Sequence, residues 1–249
     1  MNRIIINADD FGLNESRTKA IYEAYNKGLI TDTTLVANGD AYEQAINILC
    51  HDKDFLKRIG VHFNLTDCTP LTNEMKNYKR FTDNGKFNRF FIKKNSSFIH
   101  LDKYEKKIIY NELTAQIKKI QESGVDVSHA DSHHHVHMGF KLAPIFVRVC
   151  KENNITKIRP RKNVVKMSLC RRLFYAFYNL YLRMNGFTLV NYFGDAKEYT
   201  KVLPGVCEAM VHPDYEDGNL IDAMSNKSLI LYEPEIICDK SKHITYFDL

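Results

Sequence analysis

The feature that most constrains this chain is an alternation. Short β-branched, apolar runs are separated by longer helical stretches, one after another, along most of its length. Residues 3–8 read as a buried strand that stops at Asp9 and Asp10. Asn14 caps a helix over 15–27, and Gly28 supplies its stop. A strand at 33–37 follows, then a helix capped by Asp40 and running to about 49, and a strand at 59–65. Helix 102–123 ends at Gly124, and strand 125–130, helix 140–153 and a short strand at 155–158 come next. A basic, aromatic helix at 166–185, a strand at 206–211 and a last strand at 243–247 complete the series. Such repetition predicts βαβ units with a largely parallel sheet or barrel, an α/β fold formed as one domain over 1–249. Residues 66–101 break the rhythm. They are polar, aromatic and turn-rich, and read as an insertion that covers a site.

Composition supports a packed protein: 44% of the 249 residues are hydrophobic and 12% aromatic, enough for a core. No run of 18 apolar residues predicts a transmembrane helix, so no stable membrane insertion is expected, and the opening MNRIIINADDFG does not read as a signal peptide. The six cysteines (Cys50, Cys68, Cys150, Cys170, Cys207, Cys238) are scattered without a CxxC pair. That argues against a disulfide framework and a cysteine zinc site, and for a reducing cytoplasm. A net charge of +5 is mild, and no nucleic-acid signature accompanies it.

Chemistry gathers at the C-terminal ends of strands in α/β folds. Asp9 and Asp10 end the first strand, His62 lies in the third, and Asp131 with His133, His134, His135 and His137 follows strand 125–130. His212 ends EAMVH. Two histidines and a carboxylate make a catalytic metal site with open positions, a second carboxylate can take a proton from water, and an imidazolium can protonate a leaving amine. Taken singly, Asp9-Asp10 also reads as a turn and His62 as a hydrogen-bonded core residue. The DSHHHVH cluster is harder to read as surface. Rival functions for the same residues are a non-haem iron oxygenase, a metal-dependent phosphoesterase and a non-catalytic sugar-binding protein.

Five ordered segments, INADDFGLN, TDTTLVANG, GVHFNLT, SHADSHHHVHM and EAMVHPDY, resemble the YdjC-like carbohydrate deacetylases over residues 3–215. The resemblance implies a distorted (β/α) barrel, similar to polysaccharide deacetylases. It implies a divalent metal, Mg²⁺ or Zn²⁺, on Asp10, His62 and His133, with Asp9 as base and His212 as general acid or intermediate-stabilising group. It further implies a small acetylated sugar as substrate, such as a chitooligosaccharide, and a homodimer. Arg159, Arg161 and His137 are candidate substrate contacts, and helix 166–187 a candidate lid, dimer contact or membrane-surface element. The tail after 228 is shorter than usual for that family, with His134 and His135 left as groups supporting the site or the substrate.

Overall fold

The computed structural model describes residues 2–93, 99–199, 203–225, 227–228 and 240–249. In chain order the elements are β1 (Asn2–Phe11), α1 (Glu15–Asn26), β2 (Asp32–Leu35), α2 (Tyr42–His51), α3 (Lys53–Leu56), β3 (Ile59–Phe63), α4 (Asn73–Lys76), β4 (Thr82–Asp83), β5 (Lys86–Phe87) and α5 (Phe90–Lys93). They continue with α6 (Lys103–Glu122), β6 (Ala130–Ser132), α7 (Ala143–Glu152), α8 (Leu169–Met184), β7 (Tyr192–Asp195), β8 (Gly205–Val211), β9 (Pro213–Glu216), β10 (Asn219–Asp222) and β11 (Lys227–Ser228).

Six strands form one sheet in the order β6-β3-β2-β1-β8-β7, and every pair in it is parallel. β1 is buried from Ile4 to Phe11, as expected of a central strand covered on both faces. The sheet curls. Beyond β6, single parallel bridges join Ala130 to Ile158 and Lys157 to Thr188, only a few residues before β7 begins at the opposite edge. The result is the expected α/β fold with a distorted barrel left as a curled half-barrel, its sheet extended past β6 by isolated bridges. One hydrophobic cluster, with Ile4, Ile6, Val61, Phe63, Ile117 and Phe146 fully or almost fully buried, fills the space between the sheet and its helices.

Local chemistry explains most element ends. Asn14 accepts from the Arg17 amide to start α1, and Asp102 and Glu105 form a reciprocal capping box that starts α6. Other ends differ from the sequence reading. Asp40 does not cap α2: Ala41 holds that position, and the Asp40 amide bonds to the Leu13 carbonyl, tying down the loop after β1. Residues 125–129 are not strand, although Ser128 and His129 already bond to β3 through Ile59 carbonyl and the Val61 amide. β6 instead carries on through Asp131 and Ser132. Residues 155–158 and 243–247 each contribute only isolated bridges, the second through His243 to Ile4, before a 3₁₀ turn at Tyr246–Asp248. β7 and the β9–β10 hairpin were not foreseen; Asp217 and Gly218, both with positive φ, make the hairpin's turn. The region expected as an insertion holds α4, the β4–β5 pair and α5, with 94–98 outside the described residues. Most of the tail after 228, with Cys238, is also outside them.

Candidate active site

Register aligns the polar residues. His62 pairs with Asp131, Asp195 with Met210 and Ala8 with Val211, so Asp9 and His212 follow together at the same sheet end. In a regular strand Asp9 and Asp10 would face opposite sides. Here the β1–β2 pairing is interrupted between Ala8 and Phe11, and Asp10 has φ of 77°. This irregularity brings both carboxylates to one cleft of about 600 Å³, together with His62, His133 and His212. A bend of this kind in a non-glycine residue costs energy and needs support. Arg17 on α1 supplies some of it, bonding Asp10 Oδ2.

Three donor atoms converge beside Asp10. Its Oδ1 lies 3.2 Å from His62 Nε2 and 2.6 Å from His133 Nδ1, and these two nitrogens are 3.4 Å apart. Metal–ligand bonds of about 2.0–2.2 Å with angles of 90–109° put neighbouring donors roughly 3.0–3.4 Å apart, so the set needs only small adjustment to share one cation. Asp10 Oδ1 is buried and makes no well-directed hydrogen bond. His62 is oriented from behind, with Nδ1 2.6 Å from Asp131 Oδ1, leaving Nε2 for the cluster. Asp67 Oδ2 stands 3.4 Å from His133 Nε2 in the same manner. Burial opposes charge on His62, yet Asp131 and Asp10 raise it to about 10, and burial is likewise overcome at His133 by Asp10. The carboxylates thus call for positive charge at this point, which a divalent cation meets as well as protons do. Asp10, His62 and His133 are a candidate metal-binding cluster.

Asp9 is held differently. Arg159 Nη1 and Nη2 donate to its two oxygens at 2.6 Å each, and Asn7 Nδ2 adds a bond of 2.9 Å. Burial pushes the Asp9 carboxyl up, but the Arg159 charge and hydrogen bonds prevail and hold it well below the usual range. Arg159 also reaches Asp131 and Glu208, each at 2.6 Å. His212 Nε2 is 3.9 Å from Asp9 Oδ2 on the other side, its backbone amide bonded to Asp222 Oδ1 at 2.9 Å. The two acids therefore have distinct surroundings: Asp10 faces two imidazoles through Oδ1 and Arg17 through Oδ2, while Arg159 clamps both oxygens of Asp9.

With this geometry in hand, comparison with known proteins is decisive. The family model described as YdjC-like protein matches residues 3–242. This chain belongs to the YdjC-like family. A relative named carbohydrate deacetylase from Thermoanaerobacter pseudethanolicus is 29% identical over 96% of this chain and 92% of its own length. Another of that name, from Vibrio parahaemolyticus, is 31% identical over 88% and 81%. A crystal structure from Enterococcus faecalis V583, of a protein assigned provisionally to cellobiose-phosphate cleavage, superposes with a TM-score of 0.68 at 23% identity, covering 98% of this chain and 97% of the other. That likeness establishes the fold.

In this YdjC-like chain Asp9, Asp10, His62, His133 and His212 meet as the sequence suggested. Three expectations are corrected. Arg159, Arg161 and His137 do not line the cleft and are too buried to bind substrate. Arg159 is spent on carboxylates. Arg161 bonds Met138 carbonyl beneath α8 and sits 4.7–5.0 Å from the rings of Phe174, Tyr175 and Tyr178. His137 bonds Ser132 and Arg159 carbonyl, and burial lowers it to about 3. The histidine run does not behave as one helix face because His134 and His135 both take left-handed φ. His134 turns to Thr66 at 2.9 Å, and His135 lines the cleft. Sequence reading assigned no role to Asp67, Glu208 or Tyr246. Glu208 had a signal: an acid in the middle of the apolar strand VCEAMV. Tyr246 had none, since it arrives from 38 residues further along to give Glu208 Oε2 a 2.5 Å bond.

Proposed function

We propose that this chain hydrolyses the acetamide of an N-acetylated sugar, a chitooligosaccharide or related N-acetylglucosamine glycan, giving acetate and the free amino sugar. The carbohydrate deacetylase names of its relatives support the substrate class. The observation that carries the reaction is the placing of Asp9, clamped by Arg159, between the Asp10–His62–His133 cluster and His212 in one cleft.

In this reading Asp10, His62 and His133 hold one divalent ion, and two imidazoles beside one carboxylate suit zinc better than magnesium. Bound there, the ion would supply Lewis acidity, polarising the carbonyl and making water more acidic. Asp9 takes the proton from the attacking water. Arg159 keeps it ionised and aims it, with no room to rotate. His212 lies on the far side of Asp9 and gives its proton to the departing amine nitrogen. The cleft's volume, near 600 Å³, accommodates a sugar of a few rings at most.

Asp9→Asn and His212→Asn separate this from rival uses of the same cluster. Each should cut acetate release by about 10²–10⁴ while metal binding persists. Normal acetate release by Asp9→Asn would end the case for Asp9 as base. Cleavage of a phosphate ester in place of acetate release would move the function to another hydrolysis.

A further inference from the structure

The charge of this chain is unevenly spread. Residues 153–194 contain eight lysines and arginines and no acid, so the rest of the chain is net −3 within a total of +5. Two of the eight, Arg159 and Arg161, are buried in the roles above. Lys166, Arg172 and Arg183 are exposed and form no ion pair with a described residue. All three line a groove beside α8 whose lining has no carboxylate, and Lys162, which also lines the catalytic cleft, completes it.

α8 itself is apolar on two sides. Its inner side, Phe174, Tyr178 and Leu182, packs towards Phe140 and Arg161. Its outer side carries Leu169, Leu173, Phe177, Leu180 and Met184, which are 61%, 61%, 65%, 50% and 78% exposed. At 100° and 1.5 Å per residue these five occupy an arc of about 80° over roughly 22 Å of helix. A monomeric surface rarely leaves such a stripe bare. Exposed leucine and phenylalanine along one line, with arginine beside them and no acid on the helix, is the composition of a helix that lies in a lipid headgroup layer.

We propose that α8 docks this protein on an anionic membrane surface, its outer stripe entering the headgroup region and Lys166, Arg172 and Arg183 meeting lipid phosphates. A second copy fits the same face less well. Arg172 and Arg183 lie on one flank of the stripe, almost equally far from its centre. Antiparallel pairing about a two-fold axis would set Arg172 of one copy beside Arg183 of the other. An anionic surface turns that repulsion into attraction. Docking is peripheral, for no helix among the described residues is long and apolar enough to cross a membrane. Because Lys162 belongs to both the basic groove and the cleft, the docked protein presents its cleft next to the headgroups. This inference does not depend on the reaction proposed above.

The test is co-sedimentation of the full chain with vesicles of phosphatidylcholine alone and of equal parts phosphatidylcholine and phosphatidylglycerol. The wild type should bind the anionic vesicles, lose binding as salt is raised, and bind the neutral ones weakly. Arg172→Gln with Arg183→Gln should lower the partition about 25-fold, at about fivefold per cation, and Leu173→Asp with Phe177→Asp should abolish it. Circular dichroism of each variant should match the wild type, and since all four positions lie outside the cleft, any acetate release from a soluble sugar should be unchanged. Failure of the folded wild type to bind anionic vesicles would overturn the proposal. So would binding that both double variants retain, or a sedimentation-equilibrium dimer that Phe177→Asp dissociates in a protein indifferent to lipid.

Discussion

Tyr246→Phe removes one oxygen from the support of the site. The Tyr246 hydroxyl gives Glu208 Oε2 a 2.5 Å bond, Glu208 Oε1 accepts from Arg159 Nε at 2.6 Å, and Arg159 clamps Asp9. Both partners are buried, so water cannot replace the lost donor. A hydrogen bond to a charged group contributes about 1.5–3 kcal/mol, against about 0.5–1.5 kcal/mol for a neutral one. Which figure applies depends on pH. Burial raises Glu208 to about 7 from an ordinary 4.5, opposed by Arg159 and by the Tyr246 bond itself. Folded Glu208 therefore binds its proton more tightly than unfolded Glu208 does. Its contribution favours the fold fully below 4.5 and is lost as pH rises through 7. Above that range the carboxylate is ionised and the tyrosine matters most. The variant should thus be destabilised by about 1.5–3 kcal/mol near pH 8.5 and by roughly half as much near pH 5.5, measured by urea unfolding with unchanged m. At about 2–4 °C per kcal/mol for a chain of this size, the melting temperature should fall by about 3–12 °C at the higher pH. A loss equal at both pH values, or none, would refute the view that an ionised Glu208 leans on this hydroxyl.

Asp131→Asn leaves His62 Nδ1 without its carboxylate and should weaken metal binding about 10–100-fold by calorimetric titration; unchanged affinity would show that His62 needs no such partner. Gly39→Ala would put a Cβ 2.1 Å from the Gly12 carbonyl oxygen, a backbone atom with nowhere to go in the loop below Asp10. Thermal melts should register a loss of about 1–3 kcal/mol or more, and a variant as stable as the wild type would mean that the two loops are not packed as described.

What the sequence made legible was local or periodic. The order of strands and helices, the caps at Asn14 and Asp102, and the polar residues ending each strand are written in consecutive residues. So Asp9, Asp10, His62 and His212 stood out at strand ends, while the choice of His133 from the histidine run came from the family resemblance. What was illegible needed contacts distant in sequence. Arg159 read as a candidate substrate contact because nothing nearby reveals that Asp9, Asp131 and Glu208 close around it, from 150, 28 and 49 residues away. Tyr246 is harder still, entering the barrel floor through a 3₁₀ turn that stacks its ring on His129 with centroids 3.6 Å apart. β7 escaped notice because Tyr192–Asp195 is four residues containing a glycine, too short for its period to show. The histidine run could not be resolved from sequence, because two successive left-handed residues, His134 and His135, scatter its side chains.

The proposed reaction is a metal-dependent acetyl hydrolysis built on Asp10, His62 and His133. Its most direct test is acetate release from N,N′-diacetylchitobiose by chelated protein, titrated separately with zinc and magnesium. Chelated protein should be inactive, a single equivalent of zinc should restore turnover, and Asp10→Ala, His62→Ala and His133→Ala should not be restored. Chelated protein that releases acetate as fast as the reloaded protein, or full recovery in any of those three variants, would contradict it.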